Sequence, residues 1–297
     1  MFAGKGSEAE SMIGLHKTRL YIATSVSDAV LALADRGESG EFLAGATWIM
    51  RAPLRQERQV RSYVAIAKLE ELRRIEIFDQ EVIVGSCVTH AELADGLRLL
   101  PELKVLATAA GSSANPAVRQ MATIGGNLST TAFAAADLVP ALLCLEAEID
   151  IETPEGSQRL TIEEFLRLRS SGRPVGLVRQ ILVPRRSRAT AHARLPLRKA
   201  GDYPVAIVSV SIELKSNHQI LSAKIGVGSV EHVACRWRSL EAELVGKSPD
   251  ASRAAEAAAA CVNDFEGRDG VEAPGWYRIK VLPTLVSRAV QALLEPS

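Results

Sequence analysis

Thr123-Ile124-Gly125-Gly126-Asn127 is the run in this sequence best suited to holding a ligand. Adjacent glycines after a short apolar run permit positive φ and leave no Cβ between main chain and ligand. Successive N–H groups in such a turn form a concavity that attracts phosphate oxygens. Thr123 and Asn127 flank the pair with further hydrogen-bonding groups. Ten residues on, Asp137 is placed to cap a helix over Ala141–Ala147, with Pro140 tolerated in its first turn. Read alone, a Gly-Gly pair is more often a bulge or tight turn than a phosphate cradle. About eighty residues earlier, Phe42-Leu43-Ala44-Gly45-Ala46-Thr47 reads as a strand running into a turn of small residues.

Other chemistries find little support. Cys87, Cys144, Cys235 and Cys261 form no Cys-x-x-Cys pair, and Cys144 and Cys261 fall in apolar or Ala-rich helical stretches. His16, His90, His192, His218 and His232 are scattered without ligand spacing, so no metal site is expected in this chain. Lys+Arg and Asp+Glu balance at 35 each, and aromatics make up 4%, which argues against nucleic-acid binding. No apolar run reaches membrane-spanning length, and Met1–His16 lacks the apolar centre of a signal peptide. The expectation is a soluble cytoplasmic protein. Gly226-Val227-Gly228 follows a strand but lacks the third glycine and the helix of a dinucleotide loop.

The elements around these residues read as α+β without a regular βαβ repeat. A strand at Leu20 leads to a cap at Ser27 and a helix over 28–36. Glu81–Gly85 is strand-like, with Asp79-Gln80 as a hairpin tip. Thr89-His-Ala-Glu92 and Thr161-Ile-Glu-Glu164 are capping boxes that open helices. Leu177–Val183 reads as a strand, and the charged run 184–189 as a solvated linker between domains. Beyond it come strands over 206–214 and 221–227. Helices follow over 235–245, 249–265 and 276–294, the last kinked or broken at Pro283. With 297 residues, 47% of them hydrophobic, about two domains are expected.

Ala122-Thr-Ile-Gly-Gly-Asn127, followed by Ala136-Asp-Leu-Val-Pro140 and a Leu-rich helix, resembles the second flavin motif of the xanthine dehydrogenase and carbon monoxide dehydrogenase medium subunits. Leu43-Ala44-Gly45-Ala46-Thr47-Trp48-Ile49 resembles the first, in the family's order, with Ala46 in place of the second glycine. A left-handed Ala46 would cost about 1–2 kcal/mol. Ser113 and Ala114 stand where that family usually has Ile and Gly. The resemblance implies a two-lobed FAD-binding domain over 16–188, PCMH-type as in vanillyl-alcohol-oxidase-like flavoproteins, split near 60–70. It also implies a tail over 1–15 and a smaller α+β domain of the CO dehydrogenase flavoprotein type over 190–297.

FAD contacts would come from both glycine corners, 43–49 and 123–127, and from Asp137. Val178 and Lys199 would lie by the flavin ring, with Tyr203 stacked on it. No catalytic side chain is expected. The implied function is an FAD-binding electron-transfer subunit of a molybdenum hydroxylase, an oxidoreductase passing electrons from 2Fe-2S clusters through FAD to an external acceptor. Its partners would be a large molybdenum-cofactor subunit and a small 2Fe-2S subunit, as a dimer of heterotrimers. A stand-alone flavin-dependent reductase and a flavin-free assembly subunit are the alternatives.

Overall fold

The computed structural model describes residues 19–56, 62–131, 133–171, 176–197 and 203–295. Lys199 lies outside them. The first sheet has three parallel strands, β1 (Arg19–Ile22), β2 (Gly40–Leu43) and β3 (Ser62–Ala65), in the order β1-β3-β2. Helix α1 (Val26–Ala34) crosses from β1 to β2 and buries Val26, Ala29 and Val30. Its cap is Ser25, whose hydroxyl accepts from Asp28 N at 3.1 Å, not Ser27. The helix starts earlier because Val26 belongs to the buried stripe, which a start at residue 28 would leave out.

A second, antiparallel sheet joins β4 (Ile75–Ile77), β5 (Glu81–Gly85), β6 (Glu148–Thr153), β7 (Gly156–Thr161) and β8 (Leu177–Pro184). Against it pack α2 (His90–Gly96), α3 (Lys104–Ser112), α4 (Pro116–Arg119), α5 (Ile124–Ser129), α6 (Leu138–Cys144) and α7 (Ile162–Ser170). Both predicted capping boxes form: Thr89 with Glu92, and Thr161 with Glu164. Each satisfies two helix-end amides reciprocally. Val82, Val84, Ile149 and Ile181 meet the fully buried Leu106, Leu138 and Leu142 in one core.

The third sheet is antiparallel, in the order β12-β11-β10-β9, with β9 (Ala189–Pro196), β10 (Pro204–Leu214), β11 (Ile220–Gly228) and β12 (Cys235–Arg236). Helices α8 (Arg238–Leu244), α9 (Ala251–Cys261), α10 (Gly275–Lys280) and α11 (Leu282–Leu294) cover it. The chain breaks between α10 and α11, leaving Pro283 in the first turn of α11, where its missing N–H is harmless. Cys235-Arg236 pairs with β11 instead of opening a helix, because Arg236 turns back to the Glu241 carboxylate at 2.5 Å.

The run 184–189 is not a free linker. Arg185 pairs with Glu102 at 2.7 Å, Arg186 with Glu146 at 2.8 Å, and Arg188 donates to Leu145 O and Pro184 O. These contacts hold the run against the second sheet and its helices, and Glu146 also pairs across the junction with Lys224 on β11 at 3.0 Å. The same junction explains Gly226 and Gly228, which lie in β11 against α6. A Cβ at Gly226 would overlap the Pro140 carbonyl oxygen, and one at Gly228 would sit 2.5 Å from Pro140 Cγ. Their glycine pattern serves helix-on-sheet packing.

Candidate functional site

A cavity of about 560 Å³ opens between the three sheets. Ala44, Gly45, Ala46, Thr47, Trp48 and Ile49 line it from the corner after β2. Thr123, Gly125, Gly126, Asn127 and Asp137 line it from the second sheet's helices, with Val178 from β8 and Tyr203 just ahead of β10. Leu43 and Ile124 do not face it: Leu43 pairs with Ala65 in the first sheet, and Ile124 is wholly buried in the second core.

The two glycine corners touch. A Cβ at Gly45 would overlap the Met121 carbonyl oxygen and lie 2.8 Å from its carbon, so only glycine lets this corner close on the other. Ala46 follows with φ 59° and therefore carries the left-handed strain foreseen for it. Ala114, also on the wall, has φ 41°. The amides of Gly45, Ala46, Thr47 and Trp48 donate to no protein atom among the described residues. This corner holds a run of unengaged donors beside a cavity, the property a diphosphate requires.

The Gly125-Gly126 corner differs from its sequence reading. It is no strand-ending turn with positive φ: Thr123 caps α5, and both glycines lie in the helix's first turn. Its amides are engaged, Ile124 N to Val88 O, Gly125 N to Ser86 O, Gly126 N to Thr123 Oγ1 and Asn127 N to Thr123 O. Gly125 is glycine because a Cβ would press within 2.6 Å of Ser86 Cβ. Gly126 alone keeps an open face, where a Cβ would meet only Thr123 Oγ1 at 3.0 Å. Arg169, buried on α7, donates to Leu128 O and Thr130 O and so closes the other end of α5.

Asp137 does not cap α6 through its side chain. Asn127 Oδ1 accepts from Leu138 N at 3.2 Å instead. The Asp137 carboxylate turns to Arg194 on β9, Nε to Oδ1 2.8 Å, a pair that is almost entirely buried. Burial pushes the Asp137 carboxyl up to about 6, against the pull of Arg194.

Several wall residues escaped sequence reading. Phe133 lies 4.7 Å from Trp48 and 5.2 Å, edge-on, from Tyr203 (centroid distances). Arg55 stacks over Trp48 at 3.7 Å, and Arg51 donates to the Tyr203 hydroxyl at 3.0 Å. The hydroxyl of Tyr203 is thus held by a protein donor while the residue still borders the cavity. Arg51 and Arg55 lie on a 3₁₀ segment, Ile49–Arg55, with no motif to mark them. Ser86 Oγ and His90 Nε2 are buried in the wall without partners. Burial chiefly, with the Arg119 charge, pulls the His90 imidazole down to about 4, against a smaller opposing effect of the Thr123 backbone. Free corner amides, orphaned polar atoms and a bare Gly126 face fit an elongated, polyhydroxylated dinucleotide. Among the described residues no cluster of His, Cys, Asp or Glu could hold a metal, and no helix is long and apolar enough to cross a membrane.

Comparison with known proteins agrees with this geometry. Residues 16–186 match the family model described as the FAD binding domain in molybdopterin dehydrogenase, and 191–293 the CO dehydrogenase flavoprotein C-terminal domain. The chain is 29% identical to the 6-hydroxypseudooxynicotine dehydrogenase complex subunit alpha of Paenarthrobacter nicotinovorans, over 92% of this chain and 93% of that one. It is 26% identical to the xanthine dehydrogenase FAD-binding subunit of Escherichia coli O157:H7, over 90% and 93%. Its fold superposes on the solved carbon monoxide dehydrogenase of Hydrogenophaga pseudoflava with TM-score 0.81, at 25% identity, covering 93% of this chain and 97% of that one. The chain belongs to the FAD-binding medium-subunit family of the molybdenum hydroxylases, with FAD as its cofactor and an oxidoreductase as its class.

Proposed function

We propose that this chain is the electron-transfer subunit of a molybdenum hydroxylase complex. A large partner carrying the molybdenum cofactor would oxidise the substrate. A small partner carrying 2Fe-2S clusters would relay the electrons here, and the assembly would be a dimer of heterotrimers. The bound FAD supplies the redox chemistry, taking up electrons from the clusters and delivering them to an external acceptor. The protein's part is to bind, orient and shield it. The observation that carries this reading is the cavity where two glycine corners touch, the first presenting the unengaged amides of residues 45–48 and the second the open face of Gly126.

In this reading the amides of residues 45–48 hold the diphosphate and Thr47 adds a hydroxyl. The exposed face of Gly126 lets the cofactor backbone pass close. Thr123, Asn127 and Asp137 face its hydroxyl-bearing stretch, with Ala44, Ala46, Trp48 and Ile49 packing alongside and Gly125 holding its corner against Ser86. Val178 and Tyr203 border the ring, and Lys199 is assigned there on resemblance alone. The working domain limits are 16–188 and 190–297, after a tail over 1–15. A cytoplasmic complex fits the absence of a membrane-crossing helix among the described residues.

The test is purification of the tagged chain from its native host. Released FAD, co-purifying molybdenum and iron–sulfur subunits, and flavin bleaching by substrate only in the full complex are the expected results. Substrate-dependent turnover by the isolated chain would overturn the subunit reading in favour of a stand-alone reductase.

A further inference from the structure

The His90 imidazole is only 2% exposed and borders the cavity. It lies beside the second glycine corner, since His90 N donates to Ala122 O at 2.8 Å. Its Nδ1 is 2.6 Å from Ser113 Oγ. The single proton of that serine is engaged elsewhere, on Ala110 O at 2.8 Å. Ala110 O receives no backbone N–H across the end of α3 among the described residues, so the serine is its donor. With the serine proton on Ala110 O, we assign the contact as His90 Nδ1–H donating to Ser113 Oγ, which leaves Nε2 as a bare acceptor. Nε2 has no partner in the protein. Arg119 anchors the loop, donating to Ser113 O and Ala114 O at 2.9 Å each, and its charge with burial keeps the ring neutral.

We propose that His90 Nε2 accepts a hydrogen bond from the FAD in this cavity, and that Ser113 is the positioning residue that fixes the required tautomer. The inference rests on FAD occupying the cavity. Diphosphate oxygens have no proton to give at neutral pH, so the matching groups are the ribityl or ribose hydroxyls and the ring N–H groups. Beside the corner that carries Gly126, hydroxyls flanking the diphosphate are the class within reach. A buried acceptor without a partner is unfavourable, and a ligand that supplies the donor removes the penalty.

The experiment titrates FAD into the full-length apoprotein by flavin fluorescence, with the apoprotein melting temperature as a second readout. His90→Phe should raise Kd about tenfold, the effect of one lost hydrogen bond in a buried site. His90→Gln, whose amide oxygen reaches the Nε2 position, should stay within about threefold of the unmodified chain. Ser113→Ala should weaken FAD by a smaller factor, about threefold, while the protein melts normally. His90→Phe binding as tightly as the unmodified chain overturns the proposal, as do equal losses in the Phe and Gln variants, which would mean packing alone. Should His90→Phe fail to fold, undiminished affinity in Ser113→Ala overturns it instead. An unmodified chain that binds no FAD would refute the cofactor assignment itself, a result distinguishable from either.

Discussion

One methyl group added at each of two glycines separates their roles. At Gly45 the new Cβ overlaps the Met121 carbonyl oxygen, 2.8 Å from its carbon and 3.3 Å from Ala122 Cα. All three neighbours are backbone, so nothing flexible can swing aside. Overpacking of this kind costs about 1–3 kcal/mol, and more where main chain must move. At roughly 2–4 °C per kcal/mol for a chain of this size, Gly45→Ala should melt about 5–10 °C lower without cofactor. At Gly126 the Cβ meets only Thr123 Oγ1 at 3.0 Å. Alanine gains about 1 kcal/mol over glycine in a helix, which offsets that crowding. Apo Gly126→Ala should therefore melt within about 3 °C of the unmodified chain. Its methyl group stands in the cavity, so FAD affinity should fall at least about tenfold, or roughly 1.4 kcal/mol. Gly126→Asp adds a charge facing the diphosphate and should abolish flavin retention. Thermal scans of the apoproteins with FAD titrations read both effects. A Gly126→Ala protein that melts as early as Gly45→Ala, or one that keeps full FAD affinity, refutes the assignment.

Ala46→Gly relieves a left-handed alanine worth about 1–2 kcal/mol, against about 0.5–1 kcal/mol of added chain entropy. The melting temperature should rise by about 1–4 °C, and a fall would show that the Ala46 methyl group packs favourably. His192 is buried beside Ser209 at 2.9 Å and pulled down to about 3, chiefly by burial, from an ordinary 6.5. Its neutral form stabilises the fold above pH 6.5, and that contribution is lost as pH falls toward 3. His192→Leu should flatten the acid limb of stability in urea titrations, and an unchanged limb would contradict this. Asp137 has the opposite sign: its folded value, about 6, lies above its ordinary 3.8, so it destabilises increasingly as pH rises from about 4 to 6. Unfolding free energies of Asp137→Asn relative to the unmodified chain should improve across that window, and a flat difference would rule out the burial effect.

Features whose cause is local in the chain were legible in the sequence. Thr89/Glu92 and Thr161/Glu164 carry their partners three residues away, and Pro283 breaks a helix wherever the helix sits. The glycine corners were legible as places, though not in the parts they play. Whether Gly125 bares its amide to a phosphate or to Ser86 O depends on a strand end brought from forty residues away. Asp137 has the sequence position of a cap, yet Arg194 from β9 outcompetes that use and Asn127 takes it over. Strand β9 itself, Ala-Thr-Ala-His-Ala-Arg-Leu-Pro, has Thr190 as its single β-branched residue and no aromatic, too weak a signal to announce a strand, and pairing with β10 imposes it. The arginines of 184–189 read as solvated because their acceptors, Glu102, Glu146 and Leu145, are remote in sequence.

All seven residues of α6 are buried, with Pro140 seated on the bare backbone of Gly226 and Gly228. The helix therefore serves two cores at once. Truncating the chain after residue 188 would strip one side of α6 and leave Pro140 and its apolar neighbours against water, an invitation to aggregation. Engineers seeking a minimal flavin-carrying fragment of this protein should retain the third sheet, because the seam visible in the sequence runs through the interior of the folded molecule.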